Sequence, residues 1–482
     1  MPKSGWYLLV PAAFFFILNL SLAGTVPAVV LAAGHFTLLV LLFLFFRTVE
    51  LNRVLPLVVA TVSGLLFVYG ILQKTLLFPR YLEWIQEGTD EFSRTIAIRI
   101  QSGRIFAIFT LPTLYAIVCA VLIIYILHFL IRKNGMARLG WAMLLLAGVI
   151  NLLLTQSFGG VIYLAAGTLA YLFFCGILTP RVLAPALMAI FLFLFVITGL
   201  RFSEAQRLDP ARLRLSNWQQ ATRLVTQNPW FGIGLGNYAS EVSTVTQPNE
   251  ARSIYAHNAL LQEVAETGLL FNLFLIMLLW RYRRRLRPVS VRLSAPHLAV
   301  LVVLAIYNLI DIGVYFFAAG FLLIIALSQV YRRHTAPATR LLLPILPLAA
   351  MLLATAISRD ALQEGRILFS RQQSPQAADA FSTSLKWNPW NAAAHLGAAQ
   401  VHMLNHHLDA AANAASRALE IQPGAPYGHF LLSHVRLDQE RFQDALYHAE
   451  RAVQRRPDHV PYARWKQSLE AIFNHEKTDG SN

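Results

Sequence analysis

The sequence predicts an all-α polytopic membrane protein of about 11 transmembrane helices, with a periplasmic loop domain and a C-terminal α-solenoid. Three observations support this fold class. Of the 482 residues, 56% are hydrophobic and only 13% are charged, which is too apolar for an ordinary soluble domain. Apolar runs of membrane-spanning length recur as far as residue 358. Beyond them, small residues and prolines recur with a period of 34 residues.

The apolar runs define the predicted spans, because the hydrocarbon core of a bilayer requires a helix of about 20 apolar residues. Short charged connections separate most of them, and one long polar segment, residues 201–267, interrupts the series. The predicted spans are 6–24, 27–46, 54–78, 105–131, 139–156, 161–178, 182–200, 268–280, 297–315, 317–331 and 341–357.

Positive charge gives the orientation of these spans. Lysine and arginine cluster in four short connections, near Arg47, Arg132, Arg281 and Arg332, whereas the loop 201–267 and the tail are balanced in charge. Positively charged connections stay in the cytoplasm. We therefore expect a multi-pass protein of the bacterial inner membrane, with the loop and the C-terminal domain in the periplasm. Since orientation explains the net charge of +15, we expect no nucleic-acid partner.

The tail after residue 358 contains the repeat. Pro389, Pro423 and Pro457 are 34 residues apart. The same spacing relates the small residues Ala377, Ala411 and Ala445. Each unit consists of two short amphipathic helices closed by a proline, which resembles the tetratricopeptide repeat. Such arrays present a concave binding surface, so we expect a protein or glycan partner, with a spacer role as the alternative. The predicted domains are thus 1–358 in the membrane and 359–482 in the periplasm.

The loop 201–267 contains residue types suited to binding phosphate. Residues 211–228 have the periodicity of an amphipathic helix, which can lie at a membrane interface. Its arginines, Arg214 among them, carry planar donor groups that fit phosphate, although simple anchoring at the interface is the alternative. The glycines of 232–236 follow, and glycine permits a backbone to approach a ligand closely.

His257 is the one histidine of the loop, and it precedes a helix predicted over residues 258–280. The positive end of a helix dipole attracts anions such as a diphosphate. It also disfavours the imidazolium form, which leaves the ring able to accept a proton. The alternative is a structural histidine beside a helix.

These residues together resemble a known family. The pattern is Asn228-Pro229, then Gly232-Ile233-Gly234-Leu235-Gly236-Asn237-Tyr238, then His257-Asn258 and a Leu/Glu/Gly pattern that ends at Glu266 and Gly268. Arg214 with Trp218 adds an Arg-x-x-x-Trp element before it. The combination resembles the O-antigen ligase and polymerase superfamily over roughly residues 140–330.

The resemblance implies a glycosyltransferase that uses undecaprenyl-diphosphate-linked glycan as the donor, without metal or cofactor. By position, His257 would be the catalytic histidine and Arg214 a catalytic arginine that binds the diphosphate. The other residues expected to bind substrate are Arg252, Arg104, Gly234, Gly236, Asn237, Tyr238 and Asn258.

One departure from the family pattern concerns the turn between two earlier spans. Many members have Ser-Arg-Gly there, whereas this chain has Ser157-Phe158-Gly159. An expected positive charge is therefore missing. Arg104, Arg99 or Arg252 are the candidates to supply it.

Several functions remain open at this point. A ligase would use lipid A-core as the acceptor, a polymerase another glycan repeat unit, and a protein O-oligosaccharyltransferase a Ser or Thr of a protein. A flippase or transporter for a lipid-linked sugar is a different class, for which Asp311 in a predicted span is the main sign. A membrane-anchored scaffold would explain the repeats but not the arginines and histidine of the loop.

Overall fold

A computed structural model describes residues 26–86, 100–109, 111–182, 185, 210–247, 250, 253–282, 290–331, 342–456 and 459–479. Regular structure within these ranges is helical throughout, with no strand, which confirms the all-α prediction for this part of the chain. The predicted span 6–24 and almost all of 182–200 lie outside the described residues.

The helices fall into an apolar group, a loop group and a repeat group. In chain order they are α1 Val26–Phe46, α2 Leu55–Leu72, α3 Phe78–Gln86, α4 Pro112–Arg132, α5 Gly135–Leu154, α6 Phe158–Phe174, α7 Pro210–Gln227, α8 Tyr238–Glu241, α9 Ala259–Tyr282, α10 Ala295–Ile310, α11 Phe317–Val330, α12 Leu342–Ser370, α13 Ser374–Trp387, α14 Ala392–Leu404, α15 Leu408–Ile421, α16 Pro426–Asp438, α17 Phe442–Arg455 and α18 Val460–Asp479. A π-helical turn, Gln73–Leu77, joins α2 to α3.

Apolar helices coincide with nine of the predicted spans. By length and composition, five helices of the described chain can cross a membrane: α2 with α3, α4, α5, α9 and α12. Four shorter apolar helices, α1, α6, α10 and α11, accompany them. The chain therefore has a membrane domain of several apolar helices. The total of eleven crossings and their orientation stay predictions.

Helix α4 is the centre of the apolar group. Of its apolar window, 83% is buried, and it packs against α2, α5, α6 and α10. Tyr115 and Asn151 are buried polar side chains of this core, and their polar groups are hydrogen-bonded to each other and to the backbone. The Tyr115 hydroxyl donates to Asn151 Oδ1 at 2.8 Å, and Asn151 Nδ2 donates to the Phe67 carbonyl at 3.1 Å. These bonds join α2, α4 and α5 into one unit.

The predicted span 105–131 begins too early, because α4 starts only at Pro112. The preceding residues form a turn held by Gln73, whose Oε1 accepts the backbone N–H groups of Phe106 and Ala107 at 2.9 and 2.8 Å. The buried side chain of Gln73 thus bonds to backbone N–H groups that would belong to α4 if this helix began earlier.

A kink interrupts α9 at Gly268, so the single helix predicted over residues 258–280 is wrong at this point. Gly268 has φ 78° and ψ 168°. A Cβ at this position would collide with the backbone of Trp230. Leu269 N–H donates to the Pro229 carbonyl at 2.8 Å. The helix breaks where another backbone segment packs against it.

The repeat group confirms the 34-residue period. The small residues at the predicted spacing, Ala377, Ala411 and Ala445, are fully buried between helices. The turns repeat as well: Gln372, His406 and Glu440, also 34 apart, have φ of 59°, 57° and 59°. A glycan or protein partner for this surface stays a prediction.

Helix α12 joins the apolar group to the repeats without a break. It packs against α1 and also against α13, so its second half serves as the first helix of the array. Asn391 Nδ2 lies 3.1 Å from both Ser358 Oγ and Ser384 Oγ, which fixes this junction. The division predicted between residues 358 and 359 therefore falls within one helix.

Candidate active site

His257 lies at the junction of the loop and α9, as the sequence predicts. Its φ of 52° is in the left-handed region, which bulky residues rarely adopt. Asn258 fixes the junction on both sides: Oδ1 accepts Leu261 N–H at 2.9 Å, and Nδ2 donates to the Leu309 carbonyl at 3.0 Å. The first bond caps α9. These two bonds hold the backbone on either side of His257 in place.

The His257 side chain pairs with Asp311, at the end of α10. Nδ1 lies 3.1 Å from Asp311 Oδ1; the carboxylate side chain is 3% exposed and the imidazole 28% exposed. A carboxylate accepts hydrogen bonds, so Nδ1 carries the proton, and the Nδ1–H group donates a hydrogen bond to Asp311. In the neutral ring, Nε2 then has the free lone pair. The pair has the arrangement of a general base and its orienting acid.

Helix α7 positions Arg214 beside this pair. Trp218 Nε1–H donates to the His257 carbonyl at 3.1 Å. Arg214 lies four residues earlier on the same helix, so the two side chains share one face. The Arg-x-x-x-Trp spacing thereby links the arginine to the histidine backbone. Arg214 makes no hydrogen bond or salt bridge with another residue of the described chain.

Arg223 of α7 provides a contrast. Its guanidinium donates to both carboxylate oxygens of Glu250 at 2.7 Å, and also to the Val245 carbonyl at 3.0 Å. The hydrogen bonds from Arg223 lower the pKa of the Glu250 carboxyl. Arg223 therefore links two parts of the loop, whereas the guanidinium N–H groups of Arg214 can still donate to another group.

Arg104 lies close to Arg214, although 110 positions separate them in the chain. Its Nε–H donates to the Thr155 carbonyl at 3.0 Å. Burial lowers the pKa of the Arg104 guanidinium, and the positive charge of Arg214 lowers it further. Neither arginine has a carboxylate partner in the described ranges. Two neighbouring guanidinium groups have the charge and the donor groups that can bind a polyanion.

Two buried tyrosines, Tyr163 of α6 and Tyr307 of α10, lie near this site. Their rings pack edge to face with centroids 5.4 Å apart, and Tyr307 accepts the Asp311 N–H through its backbone carbonyl. Sequence reasoning missed them, since tyrosine in an apolar helix carries no signal that separates a site from a core.

The four loop residues predicted to bind substrate are engaged within the loop. Gly234 N–H donates to the Glu266 carbonyl at 2.9 Å, and Gly236 N–H donates to the Glu266 carboxylate at 2.8 Å. Asn237 and Tyr238 are 2% and 1% exposed, and the Tyr238 hydroxyl lies 3.4 Å from the Asn217 carbonyl. These contacts fold the loop against α9. Direct substrate contact by these residues, and by Asn258, stays a prediction.

Glu266 is the centre of a hydrogen-bond network that the sequence did not reveal. It is 1% exposed and accepts from Gln262 Nε2 at 3.1 Å as well as from the loop. The Tyr315 hydroxyl lies 3.1 Å from Glu263 Oε2 and 3.5 Å from Glu266 Oε2. This network ties the loop to the turn after α10, the same turn that carries Asp311.

Two of the predicted cations, Arg252 and Arg99, lie outside the described residues. The structure therefore brings together His257, Arg214 and Arg104, and it adds Asp311. Sequence reasoning treated Asp311 as a sign of a transporter, with a structural role as a helix cap or in a hydrogen bond between helices as the alternative. The pairing could not be read from the sequence, because 54 residues separate the two partners.

Comparisons with known proteins agree with the architecture. Residues 141–274 match the protein-family model described as O-antigen ligase, and residues 368–434 match the model for the tetratricopeptide repeat. No curated protein matches the chain. Among solved structures, the chain is similar to the first tetratricopeptide domain of Spaghetti (RPAP3) bound to an HSP90 peptide. That similarity has 12% identity and a TM-score of 0.24, and it covers 25% of this chain and 95% of that one.

The two matches confirm the resemblance stated from the sequence. The region that matches the O-antigen ligase model includes Arg214 and His257, and the region that matches the tetratricopeptide model follows it.

Proposed function

We propose that this protein is a membrane glycosyltransferase that transfers a glycan from undecaprenyl diphosphate to an acceptor hydroxyl at the periplasmic face of the inner membrane. One observation carries the proposal. A histidine oriented by a buried carboxylate lies next to arginines that have no carboxylate partner in the described chain. A base and an anion site are the two components that this displacement requires. The O-antigen ligase match over residues 141–274 supports the same reaction class.

The reaction is a displacement at the anomeric carbon. The acceptor oxygen forms a bond to this carbon as the bond from the carbon to the diphosphate oxygen breaks. The bonding electron pair leaves with the diphosphate, and the acceptor proton moves to His257 Nε2. Asp311 accepts the Nδ1–H bond throughout and stabilises the imidazolium that forms. Proton transfer of this kind contributes about two to four powers of ten to the rate.

The arginines act on the leaving group. A diphosphate ester gains one negative charge when the glycosidic bond breaks, so donors that are already in place stabilise the transition state more than the ground state. Arg214 and Arg104 are half-buried and close enough to repel each other, which an anion between them would relieve. Diphosphate then leaves without a general acid.

The candidate functions within this class differ in the molecule that accepts the glycan. Lipid A-core, a glycan repeat unit and a protein Ser or Thr all present a hydroxyl to the same base. The tetratricopeptide repeats at 368–434 support an acceptor or partner that contains protein, because such arrays bind extended peptides. The structure places this array on a helix continuous with the last apolar segment.

Reconstitution tests the proposal. The purified full chain in sealed proteoliposomes is given undecaprenyl-diphosphate-linked glycan together with one of the three acceptors. We expect a new glycosidic bond on one acceptor and release of undecaprenyl diphosphate in equal amount. A flippase would move the donor across the bilayer without forming that bond, and this result would refute the proposal.

A further inference from the structure

Helix α12 links the membrane domain to the repeat array. Its first part, up to Ile357, is apolar, and charged residues begin with Arg359 and Asp360. By length and composition this helix can cross a membrane. Because charged side chains avoid the hydrocarbon core, the membrane surface lies near Arg359. The contacts between α12 and the array therefore give the position of the array relative to the bilayer.

Helix α13 runs back towards this surface. A short turn joins it to α12, and the two helices pack side by side in opposite directions. Ser384 Oγ donates to the Ser358 carbonyl at 2.7 Å, so the C-terminal end of α13 is level with the end of the apolar part of α12. Trp387 is three residues beyond Ser384 and lies at about the level of Thr355. The end of α13 is therefore at the membrane surface.

The turn after α13 exposes two tryptophans at this level. Trp387 and Trp390 stand on either side of Pro389 and are 49% and 41% exposed. Asn388 fixes the turn, since its Oδ1 accepts the Trp390 N–H at 3.0 Å. Tryptophan is enriched at the boundary between membrane and water, because its ring is apolar and its N–H group is polar. Exposed tryptophans at this depth indicate a contact with lipid headgroups.

The turns after α13, α15 and α17 lie along one edge of the array, because successive helices alternate in direction. Each turn contains a proline of the 34-residue period, so we call residues 386–393, 420–427 and 454–461 the proline edge. One acidic residue among those described there, Glu420, is exposed and pairs with Arg417. The other exposed side chains of the edge, in the described part, are mainly aromatic, aliphatic or basic: Lys386, Trp387, Pro389, Trp390, Pro423, Tyr427, Gln454, Arg456, Val460 and Pro461.

The opposite edge of the array has a different chemistry. It consists of the turns after α12, α14 and α16, which are Arg371-Gln372-Gln373, Asn405-His406-His407 and Gln439-Glu440-Arg441. These turns contain no tryptophan, tyrosine or aliphatic residue, although Leu404 is exposed beside the second of them. The array is therefore amphipathic from edge to edge, and its apolar and basic edge is the one at the membrane.

We infer that the proline edge binds the membrane surface, with Trp387 and Trp390 among the phospholipid headgroups and the basic side chains against anionic lipid. Binding of this kind combines burial of apolar side chains with attraction to anionic headgroups. The inference goes beyond the proposed reaction, because it concerns how the array is held and does not depend on the acceptor. The repeats then lie along the bilayer, and a partner in their concave surface stays close to the membrane.

Fluorescence quenching tests this inference on the full chain. Cys119 and Cys175 are replaced by Ala, and one fluorescent label is attached to the last repeat, at Val460→Cys on the proline edge or at Asp438→Cys on the opposite edge. The chain is reconstituted in liposomes of phosphatidylcholine and phosphatidylglycerol that contain a lipid with a nitroxide on its headgroup. We expect quenching at Val460→Cys to be at least about threefold stronger, because the 13 residues of α16 separate the two edges by about 20 Å.

Matched variants identify the residues that hold this edge. Trp387→Ser combined with Trp390→Ser should lower the quenching at Val460→Cys by about half or more, because the apolar anchor is lost. Tyr447→Ser removes an aromatic side chain that is 51% exposed in the middle of α17, and it should leave the quenching unchanged. Liposomes of phosphatidylcholine alone should quench the label less, since the basic residues lose their anionic partner. Thermal unfolding midpoints equal to that of the wild type exclude misfolding.

Two results would overturn the inference. Equal quenching at Val460→Cys and Asp438→Cys would show that neither edge prefers the bilayer, and weak quenching at both would favour a protein partner for the two tryptophans. Undiminished quenching in the double tryptophan variant would show that Trp387 and Trp390 do not hold the edge. Neither result affects the glycosyltransferase proposal, which the transfer assay tests separately.

Discussion

Asp311 contacts the segment of His257 through both its side chain and its backbone. Its Oδ1 accepts from His257 Nδ1 at 3.1 Å, and its carbonyl accepts the N–H of Ala259, the first residue of α9, at 3.1 Å. The Asp311 N–H donates to the Tyr307 carbonyl at 2.7 Å and ends α10. One residue therefore closes α10, anchors the start of α9 and orients the imidazole between them.

The first prediction concerns Asp311→Asn. The amide keeps the size of the side chain and can still accept the Ile312 N–H, but it can also present an N–H to His257 and reverse the imidazole tautomer. We expect the rate of glycan transfer at saturating donor to fall by about two to four powers of ten. Binding of undecaprenyl diphosphate should not change, since Asp311 does not contact the anion site.

Glu250→Gln is the matched control for this prediction. Glu250 is a carboxylate of the loop that contains His257, but it pairs with Arg223 instead of a histidine. Its substitution should leave the transfer rate within a few-fold of the wild type. A comparable loss of rate in both variants would show that loop stability, not orientation of His257, limits activity.

The second prediction concerns the contact between the glycine loop and α9. Gly232 has φ 71°, and a Cβ on it would collide with the Glu266 carbonyl. Gly232→Ala should therefore lower the free energy of unfolding by about 2–4 kcal/mol, through backbone strain and the displaced contact. Gly140→Ala is the control, because nothing lies within 4 Å of its Cβ position in α5. Equal thermal unfolding midpoints for the two variants would contradict the packing described here.

The third prediction concerns the pH dependence of the repeat array. The Nδ1 atoms of His429 and His448, in α16 and α17, are 3.1 Å apart. Burial, followed by the proximity of His429 and Arg436, lowers the pKa of His448 to about 4, although Asp444 opposes this. Burial also lowers the pKa of His429. In the unfolded chain a histidine titrates near pH 6.5, about its unperturbed value.

The direction of the change in stability with pH follows from the number of protons that the folded and unfolded chains bind. Between about pH 6.5 and pH 4 the unfolded chain binds more protons than the folded one, so stability falls as the pH decreases. The free energy of unfolding should fall less in His448→Gln than in the wild type as the pH decreases, by about 1 kcal/mol. This value is already discounted for the partial exposure of the ring. Thermal unfolding of the full chain at pH 7.5 and at pH 5 measures it. An unchanged pH slope in the variant would contradict this explanation.

Much of the fold could be predicted, because its signals are local. Apolar runs gave the position of α5, α6 and α11 to within a few residues, and the recurrence of Ala377, Ala411 and Ala445 gave the repeats. The late start of α4 and the kink at Gly268 could not be predicted. Both depend on backbone groups that bond to distant residues, Gln73 in the first case and Pro229 in the second.

The residues of the candidate site likewise divide into those that the sequence predicts and those that only the folded chain reveals. His257 and Arg214 were predicted as site residues because the motifs around them in one loop resemble those of the O-antigen ligase and polymerase superfamily. Arg104 was one of three candidate cations, and only the folded chain brings it near Arg214. Asp311 and Tyr307 belong to an apolar helix or its end. Their contribution arises from tertiary contacts that no sequence spacing records.

The most direct test of the central claim is the single-turnover rate of glycan transfer by His257→Ala, with donor already bound. We expect the variant to bind undecaprenyl diphosphate as the wild type does and to transfer glycan about two to four powers of ten more slowly. Transfer at the wild-type rate would show that His257 does not accept the acceptor proton, and the mechanism described here would be wrong.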